Sequence, residues 1–221
     1  MKPYAQFCPV AKAAEVVGDR WSLLIVRDMI GGTTHFNDLV RGLPGISRAI
    51  LAKRLRQLEA AGLVVHGADG WALTEAGRDL EEIVFGLAAW GAKYAFGDPA
   101  DDELDADLLM WWMHGRVAPD HRPDRMHVIQ FVYRDHDHPY WLVIEPTDVS
   151  VCLTDPGFSV DAVVRTDLRT MYNVWLGRRE LLGAVRAGDI ELDGPPAVVR
   201  KLPDWLQLSP VAPIVRDAAR T

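Results

Sequence analysis

The sequence predicts two domains: a mostly helical one at residues 1–98 that ends in a short β-hairpin, and an α+β one at residues 99–221, an antiparallel sheet with helices on one face. Three observations predict this. With 221 residues, 49% hydrophobic and 25% charged, the chain has the size and composition of one large or two small globular domains that need no metal or disulfide to fold. Apolar residues recur at helical spacing in the first half, whereas from Met126 onward β-branched and aromatic residues alternate. The charge also divides. Residues 1–97 hold 11 basic and 10 acidic side chains, the rest 13 and 21, and the change falls at GDPADDELD between Gly97 and Asp105, an exposed linker running into a helix start.

Trp21, Leu24, Ile25 and Met29 set the rhythm of a helix that Gly31-Gly32 closes, glycine being the favoured residue where a helix ends in the left-handed region. A second, short helix carries Phe36, Leu39, Val40 and Leu43, and Pro44 in the following LPG turn stops it. Ser47 then caps a third helix, its hydroxyl accepting from backbone amides of the first turn. Leu51, Leu55 and Leu58 form the apolar stripe of that helix. At 100° per residue, Ala49, Lys53 and Arg56 lie opposite the stripe, with Ala52 beside them and Arg48 near the N-terminus. Residues 41–56 hold Arg41, Arg48, Lys53, Arg54 and Arg56 and no acid, a local excess that the net charge of −7 conceals. Short residues between long cations suit a helix that sinks into the major groove of double-stranded DNA, so Ser47, Arg48, Ala49, Ala52, Lys53 and Arg56 are the candidate DNA contacts. An ordinary amphipathic surface helix has the same pattern.

A short helix, a glycine-bearing turn and a basic second helix are the parts of a helix-turn-helix. Leu63–His66 and Trp71–Leu73 then read as two strands joined by Ala68-Asp69-Gly70, a wing. Thr74 caps a helix predicted over Glu75–Lys93. Its stripe of Leu80, Ile83, Val84, Leu87, Trp90 and Tyr94 is wide enough to require a partner helix, which a homodimer would supply.

The second half predicts a helix over Leu104–His114, then strands at Met126–Tyr133, Tyr140–Glu145, Val149–Leu153 and Val160–Arg165, paired antiparallel because their links are short. Thr166 caps a helix bearing Leu168, Met171, Tyr172 and Trp175. A further helix over Arg179–Arg186 and a strand at Ile190–Leu192 complete the domain.

The run FCPVAKAAEVVGDRWSLLIVRDMIGGTTHFNDLVRGLPGISRAILAKRLRQLEAAGLV is similar to the HxlR-type winged-helix transcriptional regulators, relatives of the MarR group, over nearly all of residues 7–80. The Cys-Pro pair, the G-D-R-W-S-L-L-I core, the F-N-D-L helix, the P-G-I-S turn and the L-x-x-R-L-R-x-L-E-x-x-G-L-V helix stand in family order. The resemblance implies a homodimer on a two-fold DNA operator, with the third helix in the major groove. The wing departs from the pattern, being short with Asp69 at its tip. Cys8 occupies the position where some members sense oxidants or electrophiles, which makes it a redox candidate beside the plainer role of a half-buried small hydrophobe at a helix start.

VDAVVRTDLRTMYNVWLGRRELLGAVRAGDIELDGPPAVVRKL resembles the end of a sterol carrier protein-like domain, over roughly residues 100–208. That implies a cavity for an apolar small-molecule effector. Trp111, Trp112, Met171, Tyr172 and Trp175 are the lining candidates, although aromatic and methionine stripes also serve as core. Asp135-His136-Asp137-His138, followed by Pro139, reads as a solvated hairpin tip and not as a metal site. No catalytic constellation, phosphate loop or paired-cysteine motif occurs, so no catalytic residue, cofactor or metal is expected. No apolar run approaches membrane length and MKPYAQFCPV lacks a signal core, which predicts a cytoplasmic protein without a membrane partner. The expected function is transcriptional regulation. The rival is a carrier or enzyme for an apolar ligand in which the C-terminal domain is the active part.

Overall fold

The structure, a computed structural model, describes residues 4–117 and 119–219. The outer ends of the two predicted domains, 1–3 and 220–221, lie outside the described residues. The chain separates into two compact units, one up to Leu87 and one from Ala88 onward.

The first unit contains α1 (Pro9–Val17), α2 (Ser22–Ile30), α3 (Phe36–Gly42), α4 (Arg48–Ala60), the hairpin β1 (Val64–Gly67) and β2 (Gly70–Leu73), and α5 (Glu75–Arg78), while α6 (Glu81–Tyr94) runs through the division. Its core holds most of the residues the spacing singled out, with Ile25, Leu39, Leu51 and Leu55 fully buried and Leu58 nearly so, whereas Leu24 is 41% exposed and Val26, which the spacing did not name, is fully buried in its place. Burying each such side chain is worth about 1.5–3 kcal/mol, enough to hold short helices that would not persist alone. The Ser47 hydroxyl accepts from Ile50 N–H at 3.2 Å, as predicted.

Two features differ from expectation. The wing strands pair Val64 with Leu73 and His66 with Trp71, so the turn is the two residues Ala68-Asp69. Gly70 follows in the left-handed region (φ 102°). A Cβ there would stand 2.6 Å from the Thr34 carbonyl oxygen, which accepts from Trp71 N–H at 2.8 Å and so fastens the wing to the α2–α3 link. The helix predicted as one piece over Glu75–Lys93 is broken at Asp79-Leu80. Thr74 ties α5 to the start of the wing, donating its hydroxyl to Gly62 O at 2.6 Å and accepting from Gly77 N–H at 3.1 Å. Gly77 is pressed so close that a Cβ would lie 2.0 Å from Leu63 O. A straight helix cannot leave that contact and also turn Leu80 and Val84 against the core, so the chain bends between them.

The second unit opens with a 3-10 turn at Asp101–Glu103 and α7 (Ala106–His114), capped by Asp105, which accepts from Leu108 N–H at 3.0 Å. After a second 3-10 turn at Pro119–His121 come β3 (His127–Tyr133), β4 (Tyr140–Ile144), β5 (Val149–Cys152) and β6 (Ala162–Thr166). They are followed by α8 (Leu168–Trp175), α9 (Leu181–Arg186), β7 (Glu191–Asp193), α10 (Pro196–Val199), α11 (Leu202–Trp205) and α12 (Ala212–Ala218). The sheet order is β5-β4-β3-β6-β7.

The predicted all-antiparallel sheet is corrected to a mixed one. β6 lies parallel to β3, with Ile129 opposite Ala162 and Tyr133 opposite Thr166. The reason is topological. β6 does not pair with the outer flank of β5 but crosses β4 and β3 to lie on the far side of β3, in the same direction as β5, and the nine residues 153–161 make that crossover. At about 3.3 Å each they extend to roughly 30 Å, sufficient to cross three strand spacings of about 4.8 Å and return along the sheet. The cap of α8 is also corrected. Asp167 accepts from Thr170 N–H at 2.7 Å, while Thr166 ends β6 with its hydroxyl donated to Asp189 O at 3.0 Å.

Ile129, Phe131, Leu142 and Val164 project to one face and join α7, α8, α10 and α11 in the main core. The opposite face carries a smaller cluster of Val128, Trp141 and Val143.

Candidate functional site

The α3–turn–α4 segment is built on a rigid floor, because Leu39, Leu43, Leu51 and Leu55 are buried on its inner side. On the outer side Ser47, Arg48, Ala49, Lys53 and Arg56 are exposed and Ala52 is half-buried, the arrangement predicted from the 100° step. Of the five basic residues of 41–56, Arg54, Arg48 and the pair Lys53 and Arg56 have separate fates. Arg54 turns inward, forms an ion pair with Asp19 and donates to Gln57 Oε1 at 2.7 Å, so it holds α4 to the start of α2. Arg48 donates to Asn37 Oδ1 at 2.7 Å and lies over the Phe36 ring at 5.1 Å, which leashes it to α3 at the mouth of the turn. Lys53 and Arg56 have no ion pair or hydrogen bond among the described residues. Two solvated cations one turn apart on a stiff helix can meet phosphates or guanine edges without first breaking an internal bond.

Two participants were not singled out in the sequence. Asn37 orients Arg48, and Ile50 lies 40% exposed beside the basic residues, a position from which an aliphatic group can meet a thymine methyl. Neither breaks the helical pattern, so only the fold reveals them. The wing offers little charge. Its tip is Ala68-Asp69, and the His66 ring packs tilted against Trp71 with ring centres 4.7 Å apart.

The first unit also holds a buried acid. Asp28, near the end of α2, has a side chain only 8% exposed; Oδ1 accepts from Arg27 and Oδ2 has no hydrogen-bond partner among the described residues. Burial outweighs the attraction of the Arg27 guanidinium and raises the carboxyl pKa to about 6. Thus α2 carries a carboxyl group whose pKa is raised toward neutrality.

In the second unit the five lining candidates do not share one cavity. Met171 and Trp175 face a small void of about 10 Å³, with Met113, Val174, Leu181, Leu206 and Leu208 around it. That is the room of about one water molecule. Tyr172 is turned away to α7, where its hydroxyl donates to Asp105 O at 2.9 Å; burial pushes its pKa up to about 12. Trp111 and Trp112 are half-buried on α7, Trp111 against His114 with ring centres 4.2 Å apart. Cys8 is half-buried at the N-cap of α1, ahead of Pro9, and both it and Cys152 are free thiols. In the hairpin tip, Asp135 accepts from Leu168 N–H at 2.9 Å and His136 contacts the Tyr140 hydroxyl at 2.8 Å. Among the described residues no group of three His, Cys, Asp or Glu could hold a metal, and no helix is long and apolar enough to cross a membrane.

Comparison with known proteins bears on the first unit. A family model described as HxlR-like helix-turn-helix matches residues 16–98. An uncharacterized HTH-type transcriptional regulator of Mycobacterium bovis is 44% identical over 92 residues, covering 38% of this chain and 58% of the relative. The uncharacterized HTH-type transcriptional regulator YybR of Bacillus subtilis is 36% identical over 96 residues, covering 40% of this chain and 77% of the relative. The crystal structure of PA1607 aligns at 37% identity and a TM-score of 0.40 over 44% of this chain and 72% of that one. The chain spans little more than half the length of its mycobacterial relative, 58%.

Proposed function

The chain belongs to the HxlR-like helix-turn-helix family, and from that premise we propose that it is a DNA-binding transcriptional regulator, not an enzyme, which grips a two-fold operator as a homodimer. The observation that carries this is the outer face of α4, where Lys53 and Arg56 stand solvated and uncommitted on a helix whose other side is locked into the core. Support for the dimer comes from α6, which exposes Ile83, Leu87, Trp90 and Tyr94, the last two 60% and 66% exposed. Such a stripe is expensive to leave in water and suits an isologous helix pair. We assign residues 1–98 to DNA binding and residues 99–221 to an effector-binding or assembly module. The void of about 10 Å³ against Trp175 gives no support to a carrier of large apolar cargo.

The test is selection of bound genomic fragments followed by mobility shift at several salt concentrations. Replacing Arg48, Lys53 and Arg56 together with Ala should weaken binding at least about a hundredfold and lower the log–log salt slope by about one unit for each phosphate that the variant no longer touches. All three side chains are exposed, so the variant should fold. Unchanged affinity and slope in that variant would overturn the assignment of α4.

A further inference from the structure

Besides the small void, the second unit has an open recess of about 520 Å³ between α9 and the α11–α12 segment. Its inner wall is Leu181, Leu206 and Leu208, the same residues that line the void against Trp175, so the recess lies on an apolar floor. Pro203, Pro210 and Pro213 form part of the outer wall and fix its backbone, which makes the shape largely preformed. A size of this order is typical of sites for small organic molecules.

The charges on the rim are specific. Arg116, Arg179 and Arg216 line the recess, and Glu180 is the acid among the lining residues. Arg179 is neutralised by an ion pair with Asp189. Arg116 and Arg216 have no carboxylate partner among the described residues, and each is anchored through Nε–H alone, Arg116 to Leu208 O at 3.2 Å and Arg216 to Gly177 O at 3.1 Å. Gly177 permits the second anchor: it is left-handed (φ 75°), and a Cβ there would stand 2.9 Å from Arg216 Nε. Holding a guanidinium by Nε leaves its two terminal amino groups, a fork that matches a carboxylate, unused. Two such cations against Glu180 leave an excess of one positive charge beside an apolar floor.

We propose that this recess binds an amphipathic monocarboxylate, its head on the Arg116 and Arg216 guanidiniums and its hydrocarbon body over Leu182, Leu206 and Leu208. The balance of charge favours a monoanion over a dianion, and a neutral sterol or alcohol would cover the two guanidiniums without satisfying them. The proposal deepens the effector-module assignment and rests on it for any effect on DNA.

The experiment is isothermal titration of the full chain, without DNA, with octanoate, 1-octanol and acetate as probes. Octanoate should bind at least about tenfold more tightly than either other probe, the alcohol lacking the charge and acetate the apolar body. Arg116→Gln and Arg216→Gln should each weaken octanoate by about tenfold, the scale of one charge-assisted hydrogen bond. Leu182→Glu, at a position 54% exposed where folding is not at stake, should weaken octanoate at least about tenfold more than it weakens 1-octanol, because both lose the apolar contact and only octanoate meets the repulsion. No octanoate binding at millimolar concentration, equal binding of 1-octanol or acetate, or indifference to both arginine substitutions would each overturn the proposal. Octanoate binding with these dependences but no change in affinity for the selected DNA keeps the site and removes the effector assignment, so the two failures are separable.

Discussion

Asp28 shows how strongly one side chain can be altered by its place. Its ordinary value is 3.8 and its folded value about 6, because burial costs the carboxylate more than Arg27 returns. An acid raised in the folded state takes up a proton on folding, so the stability held by its neutral form is complete below about 3.8 and is lost as pH rises through about 6. At neutral pH the loss is about 3 kcal/mol at most, from about 1.4 kcal/mol per pKa unit. Hydrogen exchange at the fully buried Ile25 and Val26 reports this unit alone, and its opening free energy should rise by about 1–2 kcal/mol between pH 7 and pH 5. Asp28→Asn, which keeps an acceptor for Arg27, should flatten that dependence. A wild-type profile flat over the same range would refute the assignment. The contrast of Arg54 with Lys53 belongs to this scale too. The two are adjacent and equally basic in the sequence, and only the position of Asp19 across the fold decides that one is structural and the other free.

The elements that could be read from the sequence were those whose cause is local. α2, α3 and α4 announce themselves by apolar spacing, by Gly31 and by the Ser47 cap, all within a few residues of what they control, and the candidate DNA-contact residues followed from the same geometry. The break at Asp79-Leu80 was hidden because its cause is a backbone contact with Leu63, more than a dozen residues away. α10, α11 and α12 were missed for a different reason: at four to seven residues, each with a proline in its first turn, they are too short to show a period. The parallel β3–β6 pair was hidden by a link short enough to pass for a hairpin. For α6 the bend has a consequence, since it buries Leu80 and Val84 partly in the core and leaves Ile83 and Leu87 outside. Leu87→Asp should therefore leave the fold intact and turn the proposed dimer into monomers, as light scattering would record, since a carboxylate buried in an apolar interface costs several kcal/mol. A monomeric wild type would remove the two-fold operator model.

At the scale of the whole molecule, each unit has its own core, and the two cores differ in how far apart along the chain their partners lie. In the first unit the wing closes on itself and α3, α4 and β1 follow one another directly. In the second, β3 cannot complete its ladder until β6 arrives, Ile129 meeting Ala162 across 33 positions of chain. Non-local pairing slows folding, because loop closure must precede the pairing that rewards it. Pulse-labelled exchange during refolding should protect the Leu55 amide before the Val164 amide; simultaneous protection would contradict it. On the ribosome the disparity widens, because the first unit is also made first. During synthesis β3 then waits with one flank unpaired, a temporary sticky edge that the acidic surroundings help keep from other chains. A newly made protein would thus possess a finished DNA reader while the module proposed to govern it is still assembling its sheet.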